Sequence, residues 1–305
     1  MMLLSKLKRF LKNPLRIFLR VLNGLSPFIK SDKLYLSLRY FILMGKPLHI
    51  SSPKTYNEKL QWLKLYDRNP IYTSLVDKLK VKTIVSDLIG KEHVAKVYSV
   101  WDSPDDIDFS VLPEKFVIKT THGGGNNGVF ICKNKNSANL QLVKNKLKNA
   151  MGFDIYQSSR EWPYKNVKKR IIAEEYLEDL KTGELRDYKF FCFEGKVKFL
   201  FVATDRQNRA EPFFNFFDRN YNVLDIKQGH PRNKDIPEKP IKFDEMILIA
   251  EKLSIGIPHV RVDLYEVNGM VYFGEFTFYH FGGFVPFDPP QWDLEFGNNI
   301  LLPRR

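Results

Sequence analysis

Lys115-Phe-Val-Ile-Lys-Thr-Thr-His-Gly-Gly-Gly-Asn-Asn-Gly-Val-Phe-Ile-Cys-Lys133 is the stretch against which the rest of the chain is read. Phe116, Val117 and Ile118 form a short apolar run of β-branched and aromatic residues, the glycines break it, and Val129 to Cys132 resume it, so the segment reads as strand, loop, strand. Four glycines between Gly123 and Gly128 let backbone N–H groups approach a ligand without Cβ obstruction, as phosphate cradles require. Lys119, at the end of the first strand, puts a positive charge beside that loop. The spacing Gly123-x-Gly125-x-x-Gly128 matches the dinucleotide fingerprint, but that fingerprint needs a helix directly after the loop. A strand follows instead, which excludes a Rossmann reading, and no Gly-Lys-Ser/Thr ends the loop as in a Walker P-loop. Two readings stay open on the loop alone: a β-hairpin flap over nucleotide phosphates, or a flexible hairpin without a ligand.

Composition narrows the classes. The chain has 305 residues with 44% hydrophobic content, enough for a substantial core and for more than one subdomain. Its net charge of +13 is uneven, because residues 1–50 hold ten Lys/Arg against Asp32 alone and the other 255 residues carry only +4. A basic excess at one end suits attachment to a surface and does not suit a nucleic-acid groove running through the fold. Cys132 and Cys192 both lie in apolar runs, as buried thiols of a reducing compartment do. The six histidines lack zinc-binding spacing, and no apolar run approaches the roughly 20 residues that span a bilayer. A cytoplasmic protein is expected.

From the N-terminus, Leu3, Leu4, Leu7, Leu11, Leu15, Phe18, Leu19 and Leu22 recur at helical steps among basic residues, with a bend or restart at Pro14. This basic amphipathic helix has two destinations: an anionic membrane, reached through residues 1–25 at the inner face, or the body of the protein. A helix capped near Thr55 or Asn57 follows, and another is expected from Asp77 to Gly90. After the glycine hairpin come a helical stretch over 139–150 and a strand, Arg170-Ile-Ile-Ala-Glu-Glu-Tyr-Leu177. Strands then dominate: Tyr188–Phe193, Val197–Thr204, Phe213–Phe217, His259–Glu266 and Met270–Phe276, interrupted by a helix over Phe243–Ser254. Strand runs with interspersed helices indicate an α+β fold and not a continuous βαβ winding.

Two carboxylates stand near the centres of the last two strands, Asp263 in His-Val-Arg-Val-Asp-Leu-Tyr and Glu275 in Val-Tyr-Phe-Gly-Glu-Phe-Thr. A carboxylate in an apolar strand must be paired or bind metal, since burying a lone charge costs several kcal/mol. Oxygen ligands on neighbouring strands suit Mg²⁺, which fills its shell with water and phosphate oxygens. Arg261 shares strand parity with Asp263, and Lys189 lies on a separate strand; either could neutralise phosphate charge, and cross-strand salt bridges are the structural alternative.

The order of these features resembles the ATP-grasp superfamily: Asp77-Lys78 opening a helix, Lys119 before the glycine hairpin, Glu174-Glu175-Tyr-Leu177, Arg261-x-Asp263 and Glu275-x-Thr277. Asn57-Glu-Lys-Leu-Gln-Trp62, His122-Gly-Gly124 and Gly274-Glu-Phe-Thr-Phe278 are similar to its branch named for the teichuronopeptide synthesis protein TupA, over roughly residues 34–302. The resemblance implies an ATP-grasp fold, two α+β subdomains sandwiching ATP after a helical N-terminal region. The corresponding division is an N-terminal helix (1–30), a helical region (31–76), a subdomain with the glycine flap (77–172) and one with the metal-binding strands (173–305). It implies that Lys78 and Lys119 contact the nucleotide phosphates under a flap of His122, Gly123, Gly124 and Gly125. Glu174, Glu175 and Leu177 become the adenine hinge, Asp187 stands where a ribose-binding carboxylate is often found, and Asp263, Glu275 and Thr277 hold Mg²⁺. Thr277 departs from the asparagine common at that position. Arg261 and Lys189 become the catalytic cations.

Such enzymes activate a carboxylate with ATP and Mg²⁺ and join it to an amine, and this branch is associated with capsule and cell-envelope polysaccharide synthesis. The implied partners are a glycan or lipid-linked saccharide and an amine or amino acid, with Arg206, Arg209 and His280 as acceptor contacts. Two rival readings are a glycosyltransferase using Asp106-Ile-Asp108 with a nucleotide sugar, and a kinase-like phosphotransferase, for which no His-Arg-Asp or Asp-Phe-Gly is present.

Overall fold

The computed structural model describes residues 14–125, 128–180, 185–205 and 211–304. The helical N-terminal region is built from α1 (Pro14–Leu25), α2 (Asp32–Met44), α3 (Tyr56–Tyr66), α4 (Ile71–Val76) and α5 (Lys80–Ile89). The described residues begin at Pro14 with α1, and the amphipathic pattern over residues 1–13, on which a bend or restart at Pro14 depends, lies outside them. Thr55, not Asn57, caps α3, in a reciprocal capping box with Glu58. Asn57 instead directs its backbone N–H and its side-chain amide to Asp293 Oδ1, at 2.9 and 3.0 Å. The helix expected from Asp77 begins three residues later, because the Asp77 carboxylate accepts the N–H groups of Leu79 and Lys80 and holds them in a turn. Lys78 therefore sits in the turn, where its own N–H donates to Thr121 O at 3.0 Å.

A four-stranded antiparallel sheet follows, from β1 (Val97–Trp101), β2 (Phe116–Thr120), β3 (Val129–Cys132) and β4 (Ile171–Glu175), in the order β1-β4-β2-β3. The glycine hairpin is there, with Phe116 opposite Cys132 and Lys119 opposite Val129. Alternation decides its faces: Phe116, Ile118 and Thr120 are buried, whereas Val117 and Lys119 point the other way. The inward side joins Val143 and Leu147 of α6 (Leu140–Met151) in a small core. A short helix, α7 (Ile155–Ser159), leads from α6 toward β4. β1 was not anticipated from the sequence. It is an edge strand with partial burial at nearly every position, so it carries no apolar–polar alternation.

The second sheet has β5 (Asp187–Phe193), β6 (Lys196–Thr204), β7 (Phe213–Asp218), β8 (Val223–Leu224), β9 (His259–Val267) and β10 (Met270–Thr277), in the order β10-β9-β5-β6-β7-β8. All its pairings are antiparallel. α8 (Phe243–Leu253) covers one face through Met246, Ile247, Ile249, Ala250 and Leu253. A last helix, α9 (Gln291–Asn298), closes against α3. The larger core gathers this sheet, α3, α4 and, through Val81 and Val85, α5. α5 packs with the large core, and β4 carries the small sheet through Glu175. Among the described residues no helix is long and apolar enough to cross a membrane.

Candidate active site

The face of β2 that turns away from the small core sends Lys119 toward Glu174 of β4, where its Nζ contacts Oε1. Lys82 Nζ reaches the other oxygen of the same carboxylate at 2.9 Å. Lys82 lies in the first turn of α5, and Lys78 in the turn that precedes that helix; both line the cleft. Burial alone would raise Glu174's pKa, but Lys119 and Lys82 hold it below the usual carboxylate range. Desolvation lowers both Lys78 and Lys82, with the neighbouring carboxylates pulling the other way.

On the large sheet, parity puts Asp187 and Lys189 of β5 on one face with Arg261 and Asp263 of β9, and Lys189 faces Asp263 directly across the strands. Lys189 Nζ contacts Asp263 Oδ2 and lies 2.6 Å from Asp187 Oδ2. Arg261 grips the Asp263 carboxylate with Nε and Nη2, each at 2.7 Å. The cross-strand ion pairing weighed from the sequence is present, and it forms a network with Glu275.

Glu275 reaches this face through a β-bulge. Up to Phe273 the strand pairs regularly, Phe273 opposite Leu264, but Glu275 and not Gly274 stands opposite Asp263. The extra residue reverses the parity of the strand. Without it Glu275 would share the α8-covered face with Phe273; with it Glu275 lies beside Asp263. Only glycine fits the bulge, since a Cβ at Gly274 would stand 2.9 Å from the Tyr265 ring and 3.0 Å from Asp263 O. Glu275 then has Lys78 Nζ at 3.7 Å and Arg261 Nη2 at 3.8 Å. Burial opposes its ionisation, but Lys78, Lys189, Arg261 and Lys119 outweigh it and lower its pKa to about 2.

The two sheets and α5 enclose a cleft of about 800 Å³ between them. Its wall carries the apolar side chains Val117, Val129, Ile131, Leu177 and Leu185 together with the charged Lys78, Lys82, Lys119, Lys133, Lys146, Glu174, Asp187 and Glu275. Glu175 and Gly125 also line it. The Gly123 carbonyl accepts a hydrogen bond from Lys78 Nζ, which ties the glycine loop to a cation of the cleft wall. Gly128 closes the hairpin at φ +73°, and a Cβ there would meet Ala150 Cβ at 2.7 Å and Thr120 Oγ1 at 2.8 Å.

Several expected site residues take indirect places. Glu174, expected in an adenine hinge, has its carboxylate clamped between Lys119 and Lys82. His122 is buried with Nε2 3.3 Å from Ala150 O, packed beneath the C-terminal end of α6. Burial and Lys169 lower its pKa. Gly124 packs toward Ile155. His280 is buried against Phe191 and Phe201, and its Nδ1 accepts from Arg261 Nη1 at 2.5 Å. Desolvation and Arg261 hold its pKa well below the ordinary value, so the ring is a neutral acceptor that positions Arg261 and does not present itself to an acceptor substrate. Arg206 and Arg209 lie outside the described residues. Asp108 is exposed and its carboxylate accepts from the Ser110 N–H and hydroxyl, while Ile107 is buried in the small core. Sequence reading missed Lys82 and Tyr265, although Lys82's four-residue offset from Lys78 was a usable signal.

Mg²⁺ binds through one or two carboxylates and takes its remaining oxygens from phosphates and water. Asp263 and Glu275 fit this donor set as neighbours across β9 and β10, with Thr277 Oγ1 2.9 Å from Arg261 Nη2 beside them. Arg261 and Lys189 supply positive charge to the same carboxylates.

Two antiparallel sheets closing on a cleft lined by apolar side chains and cations, with a glycine hairpin beside it, define an ATP-grasp architecture. The family model described as TupA-like ATPgrasp matches residues 58–301, and the chain belongs to that family. No curated protein matches it. It is similar to the D-alanine–D-alanine ligase of Bacillus anthracis, at 18% identity and TM-score 0.40, covering 71% of this chain and 62% of that one. A structure of the ATP-grasp ligase PsnB complexed with minimal precursor gives 11% identity and TM-score 0.40, covering 72% and 59%. The D-alanine–D-alanine ligase of Helicobacter pylori gives 15% and 0.40, covering 81% and 69%. The chain spans less than two thirds of the first two, and the family match carries the assignment.

Proposed function

We propose that the protein is an ATP- and Mg²⁺-dependent carboxylate–amine ligase that works through an acyl phosphate. The observation that carries this reading is that Lys78, Lys119 and Glu275 meet on the wall of a cleft that also presents apolar side chains, with Arg261, Asp263 and Lys189 joined to Glu275 through ion pairs. A nucleotide needs both kinds of surface: its base packs against Val117, Ile131 and Leu177, and its phosphates meet the cations. Glu174 holds Lys119 in place, and His280 orients Arg261 toward the phosphoryl group. When bound to Asp263, Glu275 and Thr277, Mg²⁺ neutralises phosphate oxygens. The substrate carboxylate attacks the γ-phosphorus and ADP leaves. The amine then attacks the acyl carbon and phosphate leaves, with the glycine hairpin keeping water from the acyl phosphate.

The carboxylate belongs, in this reading, to a uronic acid or similar group on a capsular or cell-envelope glycan, and the amine to an amino acid. The implied polysaccharide association of the family supports this choice, as does the basic N-terminal region, which suits a lipid-linked acceptor. The test is to supply ATP and Mg²⁺ with uronic-acid glycans and an amino-acid panel, and to follow amide formation and phosphate release. Consumption of UDP-sugars with ATP untouched would replace the ligase by a glycosyltransferase.

A further inference from the structure

The N-terminal region carries an apolar surface that the fold leaves uncovered. On α1, Leu22 is buried, but Phe18, Val21 and Leu25 are 61%, 55% and 49% exposed. On α2, Tyr35, Leu36 and Tyr40 face the protein, whereas Leu34, Leu38 and Phe41 are 53%, 43% and 59% exposed. The spacing of these last three, four residues and then three, makes a single stripe on the face opposite the buried one. Phe28, in the turn between the helices, is 79% exposed.

The hairpin is not loosely attached. Arg160 Nη2 donates to Ser26 O at 2.7 Å and to Ile29 O at 3.1 Å, and Tyr35 OH donates to Ser158 O at 2.9 Å. Its charge is one-sided. Asp32, the only acid among the first 50 residues, is turned toward Arg68 at 2.7 Å and Arg160 at 3.1 Å, while Lys30 and Lys33 remain exposed. An exposed double apolar stripe whose own segment leaves Lys30 and Lys33 exposed and its one acid paired matches an anionic lipid bilayer, which takes the apolar side chains below its headgroups and the lysines among them.

We propose that α1 and α2 form a fixed membrane-docking face for anionic phospholipid. The segment that holds the hairpin, around Arg160, runs on to Tyr164, which packs half-buried against the large core. Gln61 and Lys64 of α3 meanwhile bind the carbonyl of Gly282 at 3.0 and 2.7 Å, in the loop that follows Thr277. Resting on the ligase reading, a docked chain would work at the surface where a lipid-linked carboxylate arrives.

The test uses the full chain and phosphatidylcholine vesicles with or without about 30% phosphatidylglycerol, followed by co-sedimentation without ATP. Binding to the anionic vesicles is expected, weakening several-fold at roughly 0.5 M salt. The triple variant Leu34→Ser, Leu38→Ser, Phe41→Ser should lose about tenfold or more in partitioning. Binding that depends on residues 1–13 and ignores the triple variant overturns the proposal. So does a full chain that stays off both vesicles, or one that dimerises through this face. Glu275→Gln should bind vesicles like the unaltered chain, so a failed ligase assay and a failed docking assay are separate results.

Discussion

The two sheets treat their buried charges differently. In the small sheet one carboxylate, Glu174, is shared by two lysines that rise from β2 and α5, and each cation can turn to a ligand without leaving the other charge alone. In the large sheet Asp187, Lys189, Asp263, Arg261 and Thr277 are linked through successive contacts, and Arg261 is itself held by His280. The first is an adjustable pair of cations and the second a preorganised network. A phosphoryl-transfer site needs both: cations that follow the nucleotide, and a rigid frame on which the reacting phosphorus is fixed.

If that contrast holds, the largest effect comes from Asp263→Asn. It strips Arg261 and Lys189 of their common partner, with an expected stability loss of about 3–5 kcal/mol in urea unfolding. ADP release should fall by roughly 100-fold or more. Gly274→Ala comes next. Its Cβ meets the Tyr265 ring and the Asp263 carbonyl, at an expected cost of about 1–3 kcal/mol, and Glu275 is displaced. The readout is a fall in turnover larger than the rise in KM for ATP. Glu174→Gln should cost only about 1–2 kcal/mol and act mainly on KM for ATP, since Lys119 and Lys82 stay at the cleft wall. If Glu174→Gln destabilises as strongly as Asp263→Asn, the two sheets do not differ in the way described.

The bulge also marks where sequence reading stops. Strand positions in the large sheet were legible because β5, β6 and β9 are dense in Val, Phe and Leu, and the parity of Arg261 with Asp263 follows from a period of two. The same rule, applied through β10, puts Glu275 on the covered face. It fails because one inserted residue changes parity without any change in composition, and a lone glycine before an acidic residue does not announce a bulge. Burial was illegible for a similar reason. His280 and His122 look like available ligands in a polar, glycine-rich context, and only tertiary packing shows that one positions Arg261 and the other supports α6. The edge strand β1 had too little alternation to be seen. Lys78, Lys119 and the glycine hairpin were legible because their chemistry depends on local order along the chain.

The smallest effect is a pH dependence, and it reports on the joint between the sheets. Glu275's carboxyl is lowered from an ordinary 4.5 to about 2 by Lys78, Lys189, Arg261 and Lys119, cations drawn from both sheets and from the turn before α5. A depressed carboxylate stabilises the folded state above its unfolded pKa, and that contribution is lost as pH falls from about 4.5 toward 2. Glu174 is shifted in the same direction, but by Lys119 and Lys82 alone. Urea midpoints measured across that window should therefore fall less steeply for Glu275→Gln than for the unaltered chain. Glu174→Gln should flatten the same slope through a different pair of cations. In the double variant the two flattenings should fall short of their sum, because Lys119 acts on both carboxylates. Strict additivity would mean that Lys119 serves only the small sheet, and that the two charge systems meet only when a ligand bridges them.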